Sequence, residues 1–525
     1  MNVVLISTYE LGHQPFGLAS PAAWLAASGA IVTCMDLSRE DFREEPVRAA
    51  DLIALYVPMH TATRLAVALL PRIKEINLRA HICFYGLYAP VNAGFMRQLG
   101  AQTILGGEFE AGLENLVERL NKVSGTKSEF FSTPELAASH SEENENSHAE
   151  PTNSKGQPEP EISIARQQFL VPDRHGLPPL AKYAHLILPD GGYRVAGYTE
   201  ASRGCKHLCR HCPIVPVYDG AFRIMQREIV LEDIRRQVAV GAQHISFGDP
   251  DFFNGPTHGL SIVEEMHREF PQLSYDATIK IEHLLTHAEH LPKLRDTGCL
   301  FVTSAVESVD DLVLEKLTKG HTRADFIRAV QLFRETGLVL QPTFMPFTPW
   351  TTIRGYRDLL EVLAQEDLIE NVAPIQLAIR LLIPAGSRML DLPEIRDDVG
   401  TFDAAALMYP WTHSDERVDA LARDVQQIVE RDEKERRSRD EIFVHIWEAA
   451  ARADGASSGI SAAMPHFMRN GAARSAIPHM NEPWYCCAEP THEQLILIGA
   501  PAGPPATAPT VAPPEHALPQ PDAFV

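Results

Sequence analysis

Two blocks of the chain alternate short, strand-like runs with amphipathic helical patterns, and this alternation limits the folds that are open to it. The runs of the first block, residues 1–122, are VVLIST, AIVTCMDL, LIALYVP, HICFYG and QTILGG. Those of the second block, residues 166–390, are YTEAS, HISFGD, LSYDATIKI, CLFVTSAVES, VLQPTFMPF and APIQLAIRLL. Apolar strands that alternate with helices form parallel sheets with helices on their faces. The sequence therefore predicts an α/β protein with two parallel sheets.

The number of strands distinguishes the two sheets. Five strand–helix units in residues 1–122 predict an open, doubly wound sheet. Its ligand site is expected beyond the carboxyl ends of the strands, near residues 7–16, 58–63 and 106–110. Six units in residues 166–390 predict a partial (β/α)6 barrel, whose active-site groups would lie at the carboxyl ends of its strands.

Composition changes mark the rest of the chain. Residues 123–165 are rich in Ser, Glu, Asn and Pro and predict a disordered linker. Residues 391–470 predict a mainly helical region, and residues 471–498 contain two adjacent cysteines. Residues 499–525 are rich in Pro and Ala, and we expect them to be disordered.

Charge and hydropathy disfavour two classes of partner. No apolar run approaches the roughly 18 residues that a membrane span needs, and MNVVLISTYELGHQ has neither a basic n-region nor a cleavage-like site. We therefore expect a cytoplasmic protein with no membrane partner. The net charge of −22 disfavours a nucleic acid held by phosphate neutralisation.

Three of the eight cysteines lie between positions 205 and 212, in the loop after the first strand of the second block: Cys205, Cys209 and Cys212. Clustered thiols in a cytosolic chain indicate metal or redox chemistry rather than disulfides. They can hold zinc, with His207 or His211 as the fourth ligand. Alternatively, they can hold three irons of a [4Fe–4S] cluster and leave the fourth iron open. No second CxxC pair is available to close a zinc site, which favours the cluster; a packed loop without chemistry is the remaining alternative.

The CxxxCxxC pattern after strand one of a six-unit parallel barrel resembles the radical SAM superfamily. The resemblance implies that Cys205, Cys209 and Cys212 bind a [4Fe–4S] cluster. The open iron of that cluster would bind S-adenosylmethionine (SAM), which is cleaved reductively. His211 stands where the family often has an aromatic residue, so a flat ring is retained there.

Two downstream segments carry the resemblance further. In FGDPDFF, the resemblance implies that Gly248, Asp249 and Asp251 receive the amino group of SAM, with aspartates in place of the family's glutamate. An ordinary Gly-Asp-Pro turn is the alternative. In SAVES, it implies that Glu307 binds the ribose hydroxyls. An acidic residue that ends an apolar strand is costly if it is buried without a partner, which favours a ligand role.

A doubly wound, flavodoxin-like or Rossmann-like domain before such a barrel resembles the cobalamin-dependent radical SAM enzymes. The supporting segments are FGLASPAAWLAASGAIVTCMDLS and LGGEFEAGLENLVERL. The D-x-H-x-x-G pattern, whose histidine ligates cobalt, is absent, as it is in members that bind the corrin without a protein axial ligand. We predict that loops carrying Tyr9, His13, His60 and Thr61 face a corrin. The alternatives are plain loops without a ligand and a degenerate domain that has lost cobalamin.

The adjacent cysteines Cys486 and Cys487, in WYCCAEP, resemble the signature of the CUAEP/CCAEP-tail radical SAM proteins, in which the second position can be selenocysteine. Interchange of sulfur and selenium indicates a nucleophilic, redox or soft-metal task. Adjacent cysteines close only a strained and easily reduced disulfide. We predict that both are catalytic residues; two small residues packed beside Trp484 and Tyr485 are the alternative.

Taken together, the resemblances imply an enzyme that cleaves SAM and, with cobalamin, transfers a methyl or other carbon group to an unidentified metabolite. Its expected partners are a small-molecule substrate and an electron donor such as flavodoxin or ferredoxin. The alternative is a non-catalytic iron–sulfur or zinc protein that senses metal or redox state through its vicinal dithiol.

Overall fold

The computed structural model describes residues 1–129, 158–455 and 476–482. These residues form an N-terminal parallel sheet, a second sheet curled into part of a barrel, and a helical C-terminal region. The predicted α/β class is confirmed. Of the helices that the structure describes, none is long and apolar enough to cross a membrane.

The N-terminal domain is a parallel sheet in the order β2-β1-β3-β4-β5-β6. Its strands are β1 (Asn2–Ser7), β2 (Ile31–Asp36), β3 (Leu52–Tyr56), β4 (His81–Tyr85), β5 (Thr103–Gly107) and β6 (Ile162–Ser163). Its helices are α1 (Phe16–Ala27), α2 (Glu44–Ala49), α3 (His60–Ile76), α4 (Tyr88–Val91), α5 (Ala93–Gln98) and α6 (Glu110–Glu129). Apolar cores fill both faces of the sheet. The strand order reverses between β1 and β3, so a ligand crevice is expected beyond the ends of these two strands.

The sixth strand of this sheet corrects the predicted linker. Ile162 and Ser163 pair with Gly106 and Gly107 of β5, although residues 123–165 were expected to be disordered. Gly107 has a φ of +72°, and a Cβ there would overlap the Ser163 carbonyl. A two-residue strand in a polar segment has no alternation pattern, and its pairing depends on a distant glycine. The start of the predicted linker, residues 123–129, belongs to helix α6, and residues 130–157 lie outside the described residues.

The second sheet has the order β14-β13-β12-β11-β8-β7-β15. Five parallel strands form its centre: β8 (Tyr193–Thr199), β11 (His244–Phe247), β12 (Ser274–Thr278), β13 (Cys299–Glu307) and β14 (Val339–Phe344). Two antiparallel strands extend one edge: β7 (His185–Ile187) and β15 (His479–Met480). A separate antiparallel hairpin joins β9 (Ser202–Gly204) to β10 (Phe222–Ile224).

Helices cover the outer face of this sheet and bury a large apolar core against it. They are α8 (Arg227–Ala239), α9 (Pro256–Glu269), α10 (Ile281–Thr286), α11 (Leu291–Asp296), α13 (Arg323–Thr336) and α14 (Ile353–Gln365). Two other helices lie elsewhere: α7 (Val215–Tyr218) is part of the loop between β9 and β10, and α12 (Asp311–Leu317) packs in a smaller apolar core. The C-terminal region adds α15 (Pro393–Asp398), α16 (Glu416–Lys434) and α17 (Arg439–Ala453), of which α17 packs on α14.

The predicted sixth strand of the barrel, APIQLAIRLL, forms no ladder. Residues 374–377 are a short 3-10 helix, and the unit is reduced to an isolated parallel bridge between Phe347 and Arg380. The side chain of Gln376 accepts a hydrogen bond from the backbone N–H of Phe344 at 3.2 Å. A side chain thus takes the place that a carbonyl of a sixth strand would occupy beside β14. Pro374, which has no N–H, also favours the helical turn over a strand.

Candidate active site

The β9–β10 hairpin closes a loop that carries three cysteines: Cys205, Cys209 and Cys212. Gly204, directly before the loop, has a φ of +76°, and a Cβ there would overlap the ring of Tyr218 and the carbonyl of Ala221. Glycine tolerates both the conformation and the close approach. At the same end of the loop, the N–H of Cys205 donates to the Ala221 carbonyl at 3.1 Å. The two ends of the cysteine loop are therefore held together before any metal binds.

Arg203, the middle residue of β9, ties this hairpin to the N-terminal domain. Its guanidinium donates to Glu110 at 2.7 and 2.9 Å and to Glu200 at 2.6 Å, and it lies 4.7 Å from the ring centroid of Phe109. The side chains of Arg203 and Glu110 are 9% and 0% exposed. Burial raises the pKa of Glu108 to about 7 despite Arg203, whereas Arg203 outweighs burial at Glu110 and lowers its pKa. The cysteine loop is thus positioned by a buried charge network between the domains.

The thiols of the loop stand apart from the other described cysteines. Cys34 and Cys83 are buried in strands of the N-terminal sheet, and Cys299 begins β13, at the opposite end of the barrel strands from the loop. None of the described cysteines forms a disulfide. Burial raises the pKa of Cys205 to about 11. Its thiolate therefore needs a cation, because a metal ion deprotonates a thiol that binds it.

The arrangement of donor atoms separates two kinds of metal site. Zinc at about 2.3 Å from each sulfur requires ligand atoms within roughly 4 Å of one another. Cys205, His207 and Asp251 each place one ligand atom within 4.8 Å of the other two, but the three thiols of the loop do not form such a group. The thiol triad is therefore more widely spread than a single zinc ion requires.

Asp251, one of the predicted SAM ligands, lies beside this loop. Its Oδ2 is 2.7 Å from His283 Nδ1 and 3.6 Å from His207 Nε2. All three atoms are buried, and within the described part of the chain none has a hydrogen bond of good alignment. Together these two histidines lower the pKa of Asp251 against the effect of burial. An ionised, incompletely satisfied carboxylate therefore faces the cysteine loop.

The other two predicted residues of this turn have structural surroundings. Asp249 is buried and accepts hydrogen bonds from the Ala201 N–H at 2.9 Å and the Ser202 hydroxyl at 2.5 Å. Burial raises its pKa to about 7. A Cβ at Gly248 would overlap the hydroxyl of Tyr198. The three residues of this turn therefore differ in their surroundings. Asp251 faces the cysteine loop, Asp249 binds the connection between β8 and β9, and Gly248 leaves space for the Tyr198 hydroxyl.

Glu307 ends β13 at a φ of +71°, which is uncommon for a residue with a side chain. Its Oε1 lies 3.2 Å from His211 Nε2 and 3.4 Å from Lys319 Nζ. Burial by itself would raise the pKa of Glu307, but Lys319 and His211 lower it to about 2. Lys319 is buried, and Glu307 together with the thiols of the loop raises its pKa against the effect of burial. Sequence analysis missed Lys319, because nothing in LTKGH distinguishes it from a surface lysine.

The residues predicted to face a corrin have different surroundings. The ring of His13, in the loop after β1, stacks on Tyr198 of β8 with 4.6 Å between the ring centroids. His60 begins α3, is fully buried, and places Nε2 2.7 Å from the Ala406 carbonyl. Thr61, next to it, is also buried. His13 is therefore at the domain interface, whereas His60 and Thr61 are enclosed. Their cobalamin role stays a prediction.

The catalytic cysteines predicted at 486 and 487 lie outside the described residues. Glu482, at the end of the last described segment, accepts hydrogen bonds from the Tyr9 hydroxyl at 2.6 Å and from Arg39 at 2.9 Å. A Cβ at Gly12 would overlap its carboxylate. The loop after β1 thus fixes the C-terminal segment at the domain interface. Sequence analysis missed this contact, since residues more than 400 positions apart leave no local pattern.

Residues 199–360 match the Radical SAM superfamily profile. The hopanoid C-3 methylase of Methylococcus capsulatus is 26% identical over 166 residues, which are 32% of this chain and 31% of that protein. The ribosomal protein uS12 methylthiotransferase RimO of Geobacter sulfurreducens is 24% identical over 176 residues, or 31% of this chain and 38% of that protein. The chain thus spans about a third of the length of these curated relatives.

Solved structures extend the similarity beyond the matched region. The cobalamin-dependent SAM radical enzyme OxsB aligns over 89% of this chain and 74% of its own, with a TM-score of 0.63 and 16% identity. The radical SAM methyltransferase TsrM of Kitasatospora setae, bound to tryptophan and a SAM analogue, aligns over 70% and 72%, with a TM-score of 0.52 and 15% identity. At these identities the likeness concerns the fold. Residues 199–360 are therefore similar to the Radical SAM superfamily, and the chain shares the overall fold of OxsB and TsrM.

Proposed function

We propose that this protein is a radical SAM enzyme that, with cobalamin, transfers a methyl or other carbon group to a small molecule. The observation that carries the proposal is the loop of three thiols at the carboxyl end of β8, with the carboxylates of Asp251 and Glu307 beside it. The similarity of residues 199–360 to a methylase and a methylthiotransferase supports the reaction class. TsrM and OxsB, which have been solved with cobalamin, support the cofactor.

The residues of the loop fit a [4Fe–4S] cluster. Cys205, Cys209 and Cys212 would hold it, and the spread of their sulfurs suits a cluster better than a single ion. When bound, such a cluster supplies the electron and the open iron for reductive cleavage of SAM. Lys319 contributes a buried positive charge near two of the thiols, which offsets the negative charge of the thiolates.

Two carboxylates are the proposed SAM contacts of this chain. Asp251 offers Oδ2 to the amino group of SAM, because that oxygen is buried and lacks an aligned donor among the described residues. Glu307 offers its second oxygen to the ribose hydroxyls, since His211 and Lys319 approach only Oε1. The ring of His211 would then lie near the adenine. We propose structural support, rather than direct contact, for Gly248 and Asp249.

The N-terminal domain is the proposed cobalamin site. When bound, cobalamin supplies a carrier for the transferred methyl group. The loop after β1 brings His13 to the barrel, so a corrin there would lie between the two domains. His60 Nε2 is engaged by the Ala406 carbonyl, which argues against His60 as a cobalt ligand. Thr61 would act by shaping the loop.

Cys486 and Cys487 are the proposed catalytic thiols of the C-terminal segment. Glu482 is fixed at the domain interface, and a chain extends at most about 3.6 Å per residue. Cys486 follows this anchor by four residues in the sequence. The remaining proposed partners are a small-molecule substrate and an electron donor such as flavodoxin or ferredoxin.

Anaerobic reconstitution with iron and sulfide tests the proposal. We expect about four irons per chain and reductant-dependent formation of 5′-deoxyadenosine from SAM. Cys209→Ala should abolish both, whereas Cys299→Ala, in a strand away from the loop, should retain both. A protein that binds no iron, or that binds iron but never cleaves SAM, contradicts the proposal. Binding of hydroxocobalamin, followed by its visible spectrum, tests the second cofactor separately.

One observation favours a second candidate, a zinc-binding sensor. Cys205, His207 and Asp251 present three ligand atoms within 4.8 Å of one another. This reading predicts one zinc per chain, lost in His207→Ala and retained in Cys212→Ala. A metal content that depends on Cys212 and not on His207 favours the enzyme.

A further inference from the structure

We propose that the substrate carries a positively charged amine and that Asp276, inside the barrel, receives it. This rests on the proposed function, since it places the substrate of that reaction. Asp276 lies on β12, whose neighbours in the sheet are β11 and β13. No sequence motif marks it.

Alternation along the strands defines which side chains face the interior. Ile245 and Phe247 on β11, and Tyr275 and Ala277 on β12, belong to the apolar core under the helices. The residues between them therefore face the opposite side, the inside of the barrel. On these two strands the inward residues are polar: His244, Ser246, Ser274 and Asp276.

These inward groups form one chain of hydrogen bonds. Arg194 Nη1 donates to Ser274 Oγ at 2.7 Å, and Ser274 Oγ lies 2.8 Å from His244 Nδ1. His244 Nε2 lies 2.8 Å from Asp276 Oδ1, and the Ser246 hydroxyl donates to the same oxygen at 2.6 Å. Because arginine only donates, the consistent direction for a neutral imidazole runs from Arg194 through Ser274 and His244 to Asp276.

The chain of donors leaves one oxygen of Asp276 for a ligand. Both donors end on Oδ1, and among the described residues no other group donates to this carboxylate. The side chain is 12% exposed, so it borders space within the barrel. Its two direct partners are the Ser246 hydroxyl and the His244 ring, and both meet Oδ1. A mostly buried carboxylate is stabilised by a cation at its other oxygen, whereas a neutral ligand supplies no compensating charge there.

We call the inside of the barrel beside this carboxylate the binding chamber. Thr343 on β14 is inward by the same alternation, since Leu340 and Phe344 lie in the outer core, and its hydroxyl is buried with no partner in the described chain. Met480 places Sδ 4.0 Å from Ser246 Oγ. Just before it, the Pro478 carbonyl accepts a hydrogen bond from Gln341 of β14 at 2.6 Å. The C-terminal segment thus runs between β14 and β7 and covers the open side of the barrel.

The cysteine loop and the chamber share one end of the barrel. The inward ring of Tyr198, at the end of β8, stacks on His13, and Asp276 is close enough to His13 to influence its ionisation. An amine held by Asp276 would therefore lie below the domain interface, on the same side as the proposed SAM contacts. This geometry points to a small substrate that is anchored by its amine inside the barrel and presents its reacting carbon toward the mouth.

Ligand-observed NMR with a matched pair of probes tests the inference. Benzylamine is positively charged at neutral pH and benzyl alcohol is its neutral counterpart. Saturation-transfer spectra would be recorded on the full chain reconstituted with iron and sulfide. We expect benzylamine to bind the unmodified protein. Binding to Asp276→Asn should be at least about tenfold weaker, because the asparagine amide keeps an oxygen acceptor for Ser246 and His244 but has no negative charge. Asp296→Asn, an exposed control at the end of α11, should bind benzylamine as the unmodified protein does. This control accounts for general attraction of an amine to an acidic surface.

The outcomes are distinct. Benzylamine binding that is equal in the unmodified protein and Asp276→Asn overturns the inference, as does binding lost equally in Asp296→Asn. If Asp276→Asn fails to fold, as judged by iron content and melting temperature, Ala196→Leu replaces it. Ala196 pairs with the inward His244, so leucine there should exclude benzylamine, and unchanged benzylamine binding again overturns the inference. SAM cleavage without substrate is measured in parallel. If cleavage is absent while the amine depends on Asp276, the proposed function fails and the amine site stands.

Discussion

The guanidinium of Arg203 joins the cysteine loop to the N-terminal domain, and Arg203→Met tests how much the fold depends on this join. Methionine keeps much of the apolar volume beside Phe109 but leaves the carboxylates of Glu108, Glu110 and Glu200 without their cation. Removing one partner from a buried charge network costs about 3–5 kcal/mol, because the remaining charges stay buried. We expect a loss of this size in the free energy of unfolding at about pH 8.

The loss should depend on pH with a defined sign. In the unmodified protein the pKa of Glu110 is lowered by folding. Glu110 therefore contributes to the free energy of unfolding at a pH above its pKa in the unfolded chain. This contribution is lost as the pH falls through the lower pKa of the folded protein. Without Arg203 the buried carboxyls take up protons in the folded state more readily than in the unfolded state. The stability of the variant therefore rises as the pH falls, and its deficit at about pH 5.5 should be smaller than at about pH 8.

Urea denaturation followed by tryptophan fluorescence measures both quantities. The matched control is Glu108→Gln, which removes the carboxyl whose pKa burial raises to about 7 and keeps an acceptor for the Tyr218 hydroxyl. We expect this control to be as stable as the unmodified protein, or more stable, at about pH 8, because a buried charge is removed. A loss below about 1 kcal/mol in Arg203→Met, or a deficit that does not change with pH, refutes the reasoning.

Three further predictions follow from positions already described. Gly204→Ala should lower the iron content after reconstitution, because a Cβ there overlaps Tyr218 and Ala221. The control Gly241→Ala is also at a positive φ but has open space around it, so it should keep its iron. Equal iron content in the two variants contradicts this prediction. Cys487→Ser should abolish turnover while iron content and SAM cleavage stay unchanged, and undiminished product formation would count against a catalytic thiol. Glu482→Ala should increase the rate of limited proteolysis on the C-terminal side of Met480, because the hydrogen bonds from Tyr9 and Arg39 are lost. An unchanged rate would show that these hydrogen bonds do not hold the segment.

Sequence patterns predicted those parts of the molecule that depend on local order. Apolar runs identified ten of the strands in the two sheets, and the spacing of the cysteines located the loop after β8. Alternation did not reveal that APIQLAIRLL forms no ladder, since the outcome depends on Gln376 reaching the Phe344 N–H across 32 positions. Nor did it reveal β6, whose two residues pair with glycines more than 50 positions earlier.

The candidate site shows the same division. The three thiols, Asp251 and Glu307 belong to short motifs from which their roles were predicted, and the structure places both carboxylates beside the cysteine loop. Lys319 and the chain from Arg194 to Asp276 were not, because their meaning comes from burial and from contacts between separate strands. A buried lysine and a surface lysine are the same letter, and only the fold distinguishes them.

The pairing of β15 with β7 has a consequence for biosynthesis. The N–H of His185 donates to the side chain of Asn481, 296 positions later, so one edge of the barrel sheet is completed only after residue 481 has left the ribosome. Until then β7 presents unpaired backbone groups, which can associate with other strands. Contacts this distant also slow folding, because a long loop must close before they form. The cysteine loop is synthesised long before residue 481. Nascent or truncated chains should therefore still depend on chaperones after the cysteine loop has been made.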